Sequence, residues 1–407
     1  MYKNYIKQLS ILVNNSVIGS AASYILTINL ANYLGATSFG LYSYILIVAT
    51  IIQVLVIYAT DISAPTMAAG GADHQRIYNK IITFRCVIFV LVIIILLLWP
   101  SVEFTILLGI LALSISAINL SFFSEIKRQN TKYSFIYMIE RLLYVALVFT
   151  LIFINYLQLI HVFIIYFTVT FISLGVQYNL YSDNLKNYSV PKIKNLTVIL
   201  YHNLPLVLIT LSSFAYGGIS RIILEDKLGL QPLGIFSAGM QLTALISIFQ
   251  AQVDRVWRLP LFSALVDREL PVLWRQIYSY LFLTTLPVIV LAIFTYLYGG
   301  GIVSLLFIQE YGPLKELMPQ FSLFFILINV NALLAILWIG FGARNEYLFI
   351  SVFFGLAVLS ILKMLPSTVQ LSEIVMVILS VQALQTIVSI IRLSFIYRAV
   401  FRSASPT

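Results

Sequence analysis

Charge is what this chain has least of. Only 10% of its 407 residues are charged, against about 25% in ordinary soluble domains. Cysteine is scarcer still: Cys86 is the single one, which excludes a disulfide framework and a cysteine-based metal site. No G-x-x-x-x-G-K-[ST] loop occurs to cradle a nucleotide, so ATP hydrolysis by this chain is excluded. There is no H-E-x-x-H and no His/Cys cluster at metal-ligand spacing, and neither a metal nor a cofactor is expected. Long outward loops are missing too, the longest being roughly 298–316, which leaves little room for an external catalytic domain. With no catalytic constellation left, the expectation is a protein that is not an enzyme.

What is abundant is hydrocarbon. Hydrophobic residues make up 61% of the chain, gathered in runs near 20 residues, the length that spans a ~30 Å hydrocarbon core as a helix. The pattern predicts an all-α polytopic membrane protein. Its helices are expected over roughly 10–33, 40–60, 79–99, 103–123, 134–155, 159–180, 197–220, 232–252, 276–298, 317–341, 347–364 and 373–393. The first run is too long for a signal peptide and lacks an A-x-A cleavage site, so it is kept as a helix.

The chain also repeats itself. Leu34-Gly35-Ala36-Thr37-Ser38-Phe39-Gly40-Leu41-Tyr42-Ser43 returns in the second half as Leu228-Gly229-Leu230-Gln231-Pro232-Leu233-Gly234-Ile235-Phe236-Ser237. Each copy joins two long apolar runs, the mark of an internally duplicated transporter. An even number of spans per half makes the copies parallel, giving two six-helix lobes over 1–190 and 191–407. Gly35 and Gly229 suit the positive-φ position that ends a helix, and Gly40 and Gly234 allow close backbone approach. A weaker correspondence follows each copy, where Asp61 precedes Pro65 and Asp254 precedes Pro260. The stretch Val253–Arg275 reads as an amphipathic segment at the inner interface.

With the N-terminus inside, eighteen of the 24 Lys and Arg fall on the inner face and only Arg221, Lys227, Lys315 and Lys363 on the outer. That bias places both termini in the cytoplasm. The net charge of +9 is then a topology signal and a contact with anionic membrane lipids, with no nucleic acid expected.

Polar residues inside apolar runs are the candidates for function. Asn14 and Asn15 interrupt the first helix, and His202, Asn203 and Pro205 interrupt the seventh at similar depth, as in helices that line a cavity or bend. Helix-to-helix hydrogen bonding is the plainer reading. Arg85, Glu140 and Arg141 are ionisable residues within spans, each costing roughly 2.5–3.5 kcal/mol at a helix centre. Arg85 is expected to pair with Glu140, leaving Arg141 turned inward; snorkelling of both arginines to headgroups is the alternative. Asp61 and Arg221 sit at helix ends, where Asp61 is a candidate for a coupling ion or proton and Arg221 for an anion.

The segment Leu34-Gly35-x3-Phe39-Gly40-Leu41-Tyr42-Ser43 resembles the opening of polysaccharide flippases, including the O-antigen type, in the multidrug/oligosaccharidyl-lipid/polysaccharide exporter superfamily. Leu305-Leu306-Phe307-Ile308-x2-Tyr311-Gly312-Pro313, followed by Leu317, looks like that family's segment before helix 10, with Ile308 in place of a turn glycine. The resemblance implies two lobes around a central cavity that opens alternately to each side of a bacterial inner membrane. The implied cargo is an undecaprenyl-diphosphate-linked sugar repeat unit, with other polysaccharide assembly proteins as further partners. Arg141, then Arg85 and Arg221, would meet the diphosphate, and Glu140 and Asp61 would couple transport to an ion gradient. A multidrug antiporter of the same superfamily and a membrane-embedded polysaccharide polymerase are the alternatives.

Overall fold

The computed structural model describes residues 2–69, 71–98, 103–243, 250, 253, 261, 270–366 and 368–402. Every regular element among them is helical. In chain order these are α1 (2–34), α2 (36–57), α3 (Thr60–Ala69), α4 (His74–Leu97) and α5 (Phe104–Ser114). A 3₁₀ turn at Ile115–Ile118 leads to α6 (Ser121–Ile126), then α7 (Asn130–Phe153), α8 (Leu159–Leu180) and α9 (Ser182–Lys186). The chain continues through α10 (Ile193–Phe214), a π-helical turn at Ala215–Ile219, α11 (Ser220–Leu228) and α12 (230–243). It closes with α13 (Leu270–Leu306), α14 (Leu314–Gly340), α15 (Arg344–Met364) and α16 (Leu371–Arg402).

Among the described residues ten helical segments are long and apolar enough to cross a membrane, and the first of them runs 52 residues from Asn14 to Pro65. Gly35, at φ 73° and ψ 169°, breaks that segment in two, so it crosses twice. The expected helix over 232–252 is described only as far as residue 243, with Gln250 beyond it. Together these give an all-α membrane fold of about twelve crossing helices. The Asp254–Pro260 correspondence and most of the amphipathic stretch Val253–Arg275 lie outside the described residues. Large apolar side chains such as Phe153, Ile95 and Leu305 stay exposed, as lipid-facing residues do, because lipid tails are as apolar as the side chains themselves.

The chain forms two compact units. One comprises Met1–Leu34 and Leu41–Leu211; the other comprises Gly35–Gly40 and Ser212–Thr407. In the first, a buried aromatic cluster of Tyr78, Phe122, Phe123 and Tyr181 ties α4, α6 and the end of α8 together. Its rings meet at centroid distances of 4.8 Å for Tyr78–Phe123 and 5.1 Å for Phe123–Tyr181.

In the second unit the two copies of the repeated decapeptide meet. A Cβ on Gly40 would lie 1.9 Å from the Leu230 carbonyl oxygen, and one on Gly234 would lie 1.9 Å from the Ala36 carbonyl oxygen. Each glycine is therefore the landing place of the other copy's backbone, the close approach that only a residue without Cβ permits. Gly35 and Gly229 both hold positive φ, at 73° and 87° with extended ψ, a region essentially confined to glycine. The Glu310 carboxylate accepts the Ala36 N–H at 2.8 Å and so satisfies an orphan donor at the start of α2, where negative charge is favoured. Beside it, burial and then the Glu310 charge push the Tyr311 phenol above its ordinary range.

Gly234→Ala is expected to cost about 1–3 kcal/mol or more, because the clash is with backbone that cannot rotate away. Gly300→Ala, whose Cβ meets nothing within 4 Å, is the matched control and should leave the thermal midpoint in detergent unchanged or raised.

Candidate functional site

Two arginines in the first unit have opposite surroundings. Arg85, on α4, is fully buried. Its Nε and Nη2 donate to Thr60 Oγ1 at 2.9 and 2.7 Å, Nη2 donates to Asp61 Oδ1 at 2.6 Å, and Nη1 donates to the carbonyls of Asn119 at 2.9 Å and Ala117 at 3.3 Å. Ser121 Oγ donates to the same Asp61 oxygen at 3.0 Å, and the Phe122 ring lies 4.8 Å from the guanidinium carbon. Two local features make this cage. The chain breaks between α2 and α3 at Tyr58 and Ala59, which turns Thr60 and Asp61 toward α4. The 3₁₀ turn after α5 aims its last carbonyls the same way.

The expected pair between Arg85 and Glu140 therefore does not form. Asp61, half-exposed at the start of α3, is the partner, because the helix break delivers a carboxylate and a hydroxyl together. Glu140 is buried on α7 and accepts from Thr170 Oγ1 of α8 at 3.2 Å.

Arg141, the next residue on α7, points about 100° away from Glu140 around the helix. Its guanidinium carbon stands 4.9 Å from the ring centroid of Tyr137 and 5.5 Å from that of Tyr166. Tyr144 meets Tyr166 edge-on at 5.3 Å, and Tyr42 engages Tyr144 from the start of α2. Gly19 of α1 faces the arginine stem, where a Cβ would lie 3.6 Å from Arg141 Cβ and Cγ. Among the described residues no carboxylate pairs with Arg141, and its Nε is buried with no hydrogen-bond partner. Aromatic faces return about 2 kcal/mol to a desolvated cation, less than the several kcal/mol per ion that desolvation costs. The site is a cation caged by tyrosines, hydrogen-bonded to Tyr137 and within electrostatic reach of Glu140, with no direct ion pair among the described residues.

Arg221 belongs to the second unit. It follows the π-helical turn at Ala215–Ile219, stands 5.7 Å from the Phe236 ring, and also holds a buried Nε with no partner. Of the residues expected to line a cavity or bend helices, Asn15 is buried and donates to Ser134 Oγ at 3.2 Å, whereas Asn14 and His202 are exposed. Asn203 is fully buried and donates to the Tyr58 carbonyl and to Ser63 Oγ, both at 3.0 Å. Pro205 sits two residues further within α10. The tyrosine cage was not among the sequence candidates, although Tyr137, Arg141 and Tyr144 share one helix face at i−4 and i+3, a spacing open to inspection.

The family model for polysaccharide biosynthesis proteins matches residues 6–266. Among solved structures, the chain is similar to an inward-facing multidrug resistance transporter of the MATE family in the MOP superfamily, with TM-score 0.68 and 18% identity over 94% of this chain and 96% of that one. An outward-facing conformation of such a transporter gives TM-score 0.62 and 16% identity over 96% of each chain. A MOP superfamily transporter from Pyrococcus furiosus, described as having a binding pocket of reverse polarity, gives TM-score 0.61 and 14% identity over 96% of each. At these identities the likeness is one of fold. No curated protein matches the chain in sequence.

A double-mutant cycle separates the two pairings of Arg85. Arg85→Gln with Asp61→Asn should show a coupling energy of about 1–3 kcal/mol in thermal or denaturant stability. The cycle of Arg85→Gln with Glu140→Gln should show additivity within about 0.5 kcal/mol.

Proposed function

Since the chain belongs to the polysaccharide biosynthesis protein family, we propose that it carries a polyprenyl-diphosphate-linked oligosaccharide across the bacterial inner membrane, with both termini in the cytoplasm. The observation that carries the reading is Arg141: a guanidinium among tyrosine faces, in no direct ion pair among the described residues and with its Nε buried and unpartnered. A diphosphate entering the bilayer interior must have its charge neutralised, and the planar fork of arginine matches two phosphate oxygens at once. The flanking phenol rings offer apolar faces to a sugar and O–H donors to its oxygens. The prenyl tail stays in lipid. Arg221 is a second anion ligand in this scheme. Arg85 is a structural group, since its donors already meet protein acceptors.

The drive is an ion or proton gradient or downstream consumption of the carried unit, because the chain has no nucleotide loop of its own. Glu140 is the acid for coupling, being a buried carboxylate beside Arg141 whose hydrogen-bond partner among the described residues is a threonine hydroxyl. The protein does no bond chemistry, and its partners are the lipid-linked glycan, the surrounding membrane lipids and other polysaccharide assembly proteins. The fold it shares with multidrug transporters supports a second reading, drug–ion antiport. A cationic drug would meet Arg141 as a like charge, and that favours the glycan.

Arg141→Gln should fold normally yet trap lipid-linked repeat units on the cytoplasmic leaflet, cutting surface glycan at least about tenfold, with Arg141→Lys recovering part of it. Normal surface glycan in Arg141→Gln cells would overturn the proposal. Raised drug sensitivity with intact glycan would establish the antiporter in its place, and single units at the surface without polymer would point to a polymerase.

A further inference from the structure

Tyr58 and Ala59 carry φ of 50° and 55°, two consecutive non-glycine residues in the left-handed region, where a Cβ crowds the following carbonyl. They interrupt what would otherwise be one continuous membrane helix through α2 and α3. Broken membrane helices commonly offer their freed carbonyls to an ion or a substrate. Here the freed groups have partners in the protein. The Ile57 carbonyl accepts from Thr60 Oγ1 at 2.5 Å, the Tyr58 carbonyl from Asn203 Nδ2 at 3.0 Å, and the Ala59 carbonyl from the N–H groups of Ile62 and Ser63, both at 3.1 Å. The guanidinium of Arg85 fills the position between Thr60, Asp61 and the Asn119 carbonyl that a bound cation would take. The break therefore holds a resident side-chain cation and is no ligand site.

What holds the break open lies on other elements. Arg85 grips its far side from α4, the Phe84 ring meets Tyr58 at 5.5 Å, and Asn203 reaches it from α10. Asn203 is fully buried, and its Oδ1 has no donor. The bent form opposes the intrinsic preference of both residues and depends on these outside clamps. We propose that Tyr58–Ala59 is a hinge with a bent and a straight state, held bent by Arg85 and Asn203, and that the transport cycle passes through both. The hinge is independent of what is carried, so its distance measurement needs no substrate; only the transport arm rests on the proposed function.

Spin labels at Ile62 on α3 and Phe171 on α8, both exposed, in a Cys86→Ser background, report the bend as a distance within the first unit. Ala59→Gly removes the Cβ that opposes the bent form and should shift the population toward the bent distance, at least about fivefold. Ala59→Val and Asn203→Ala should shift it the other way. Both kinds of shift should slow transport, because each depletes one state the cycle requires. Identical distance distributions in Ala59→Gly and Asn203→Ala would overturn the hinge, whether or not Ala59→Val folds. So would full transport activity in a variant held in one state.

Discussion

A guanidinium within a bilayer must have its donors met, and how fully the protein meets them distinguishes Arg85 from Arg141, whose Nε has no partner. Both lie about three turns inside apolar helices of the same unit. Arg85 is met by a carboxylate, a hydroxyl and two carbonyls. Arg141 is met by rings. The energetic difference is a matter of which polar groups the neighbouring turns present. The break after α2 and the 3₁₀ turn after α5 present oxygen to Arg85, while α7 and α8 are regular helices whose carbonyls are already used. Regular helix leaves only side chains to answer a charge, and those around Arg141 are tyrosines.

The irregular backbone thus does most of the chemical sorting. Gly35 breaks one long apolar run so that it crosses twice, Gly40 and Gly234 let the two decapeptides touch backbone to backbone, and Tyr58–Ala59 deliver Asp61 to Arg85. Within the second unit the decapeptide contact has a strict condition. Each copy needs a glycine where the other copy's carbonyl arrives, and the duplication supplies both at once. The repeat is a structural joint, and Arg85 and Arg141 lie elsewhere along the helices.

The membrane class, the helix order and the duplicated turn were legible in sequence because each rests on local quantities: run length, hydropathy and glycine position. Arg141 was legible as a costly charge. The partner of Arg85 was not, since depth along a helix fixes neither the face a side chain presents nor the turn of a neighbour facing it. Glu140 matched Arg85 in depth, yet Asp61 had the matching direction. Asn203 stood out as a polar interruption, and its target, the Tyr58 carbonyl, depends on a backbone conformation that nothing in the dipeptide Tyr-Ala announces.

Sequence alone determined that this chain is a duplicated bundle of membrane helices with few charges, because hydrocarbon thickness and the need to satisfy every backbone group in lipid admit no other use of such runs. Tertiary structure decided which of those charges are fully paired and which keep a buried donor without a partner. Pairing inside a bundle is a property of facing surfaces and broken turns, and three or four helices must be in place before any one arginine has an environment.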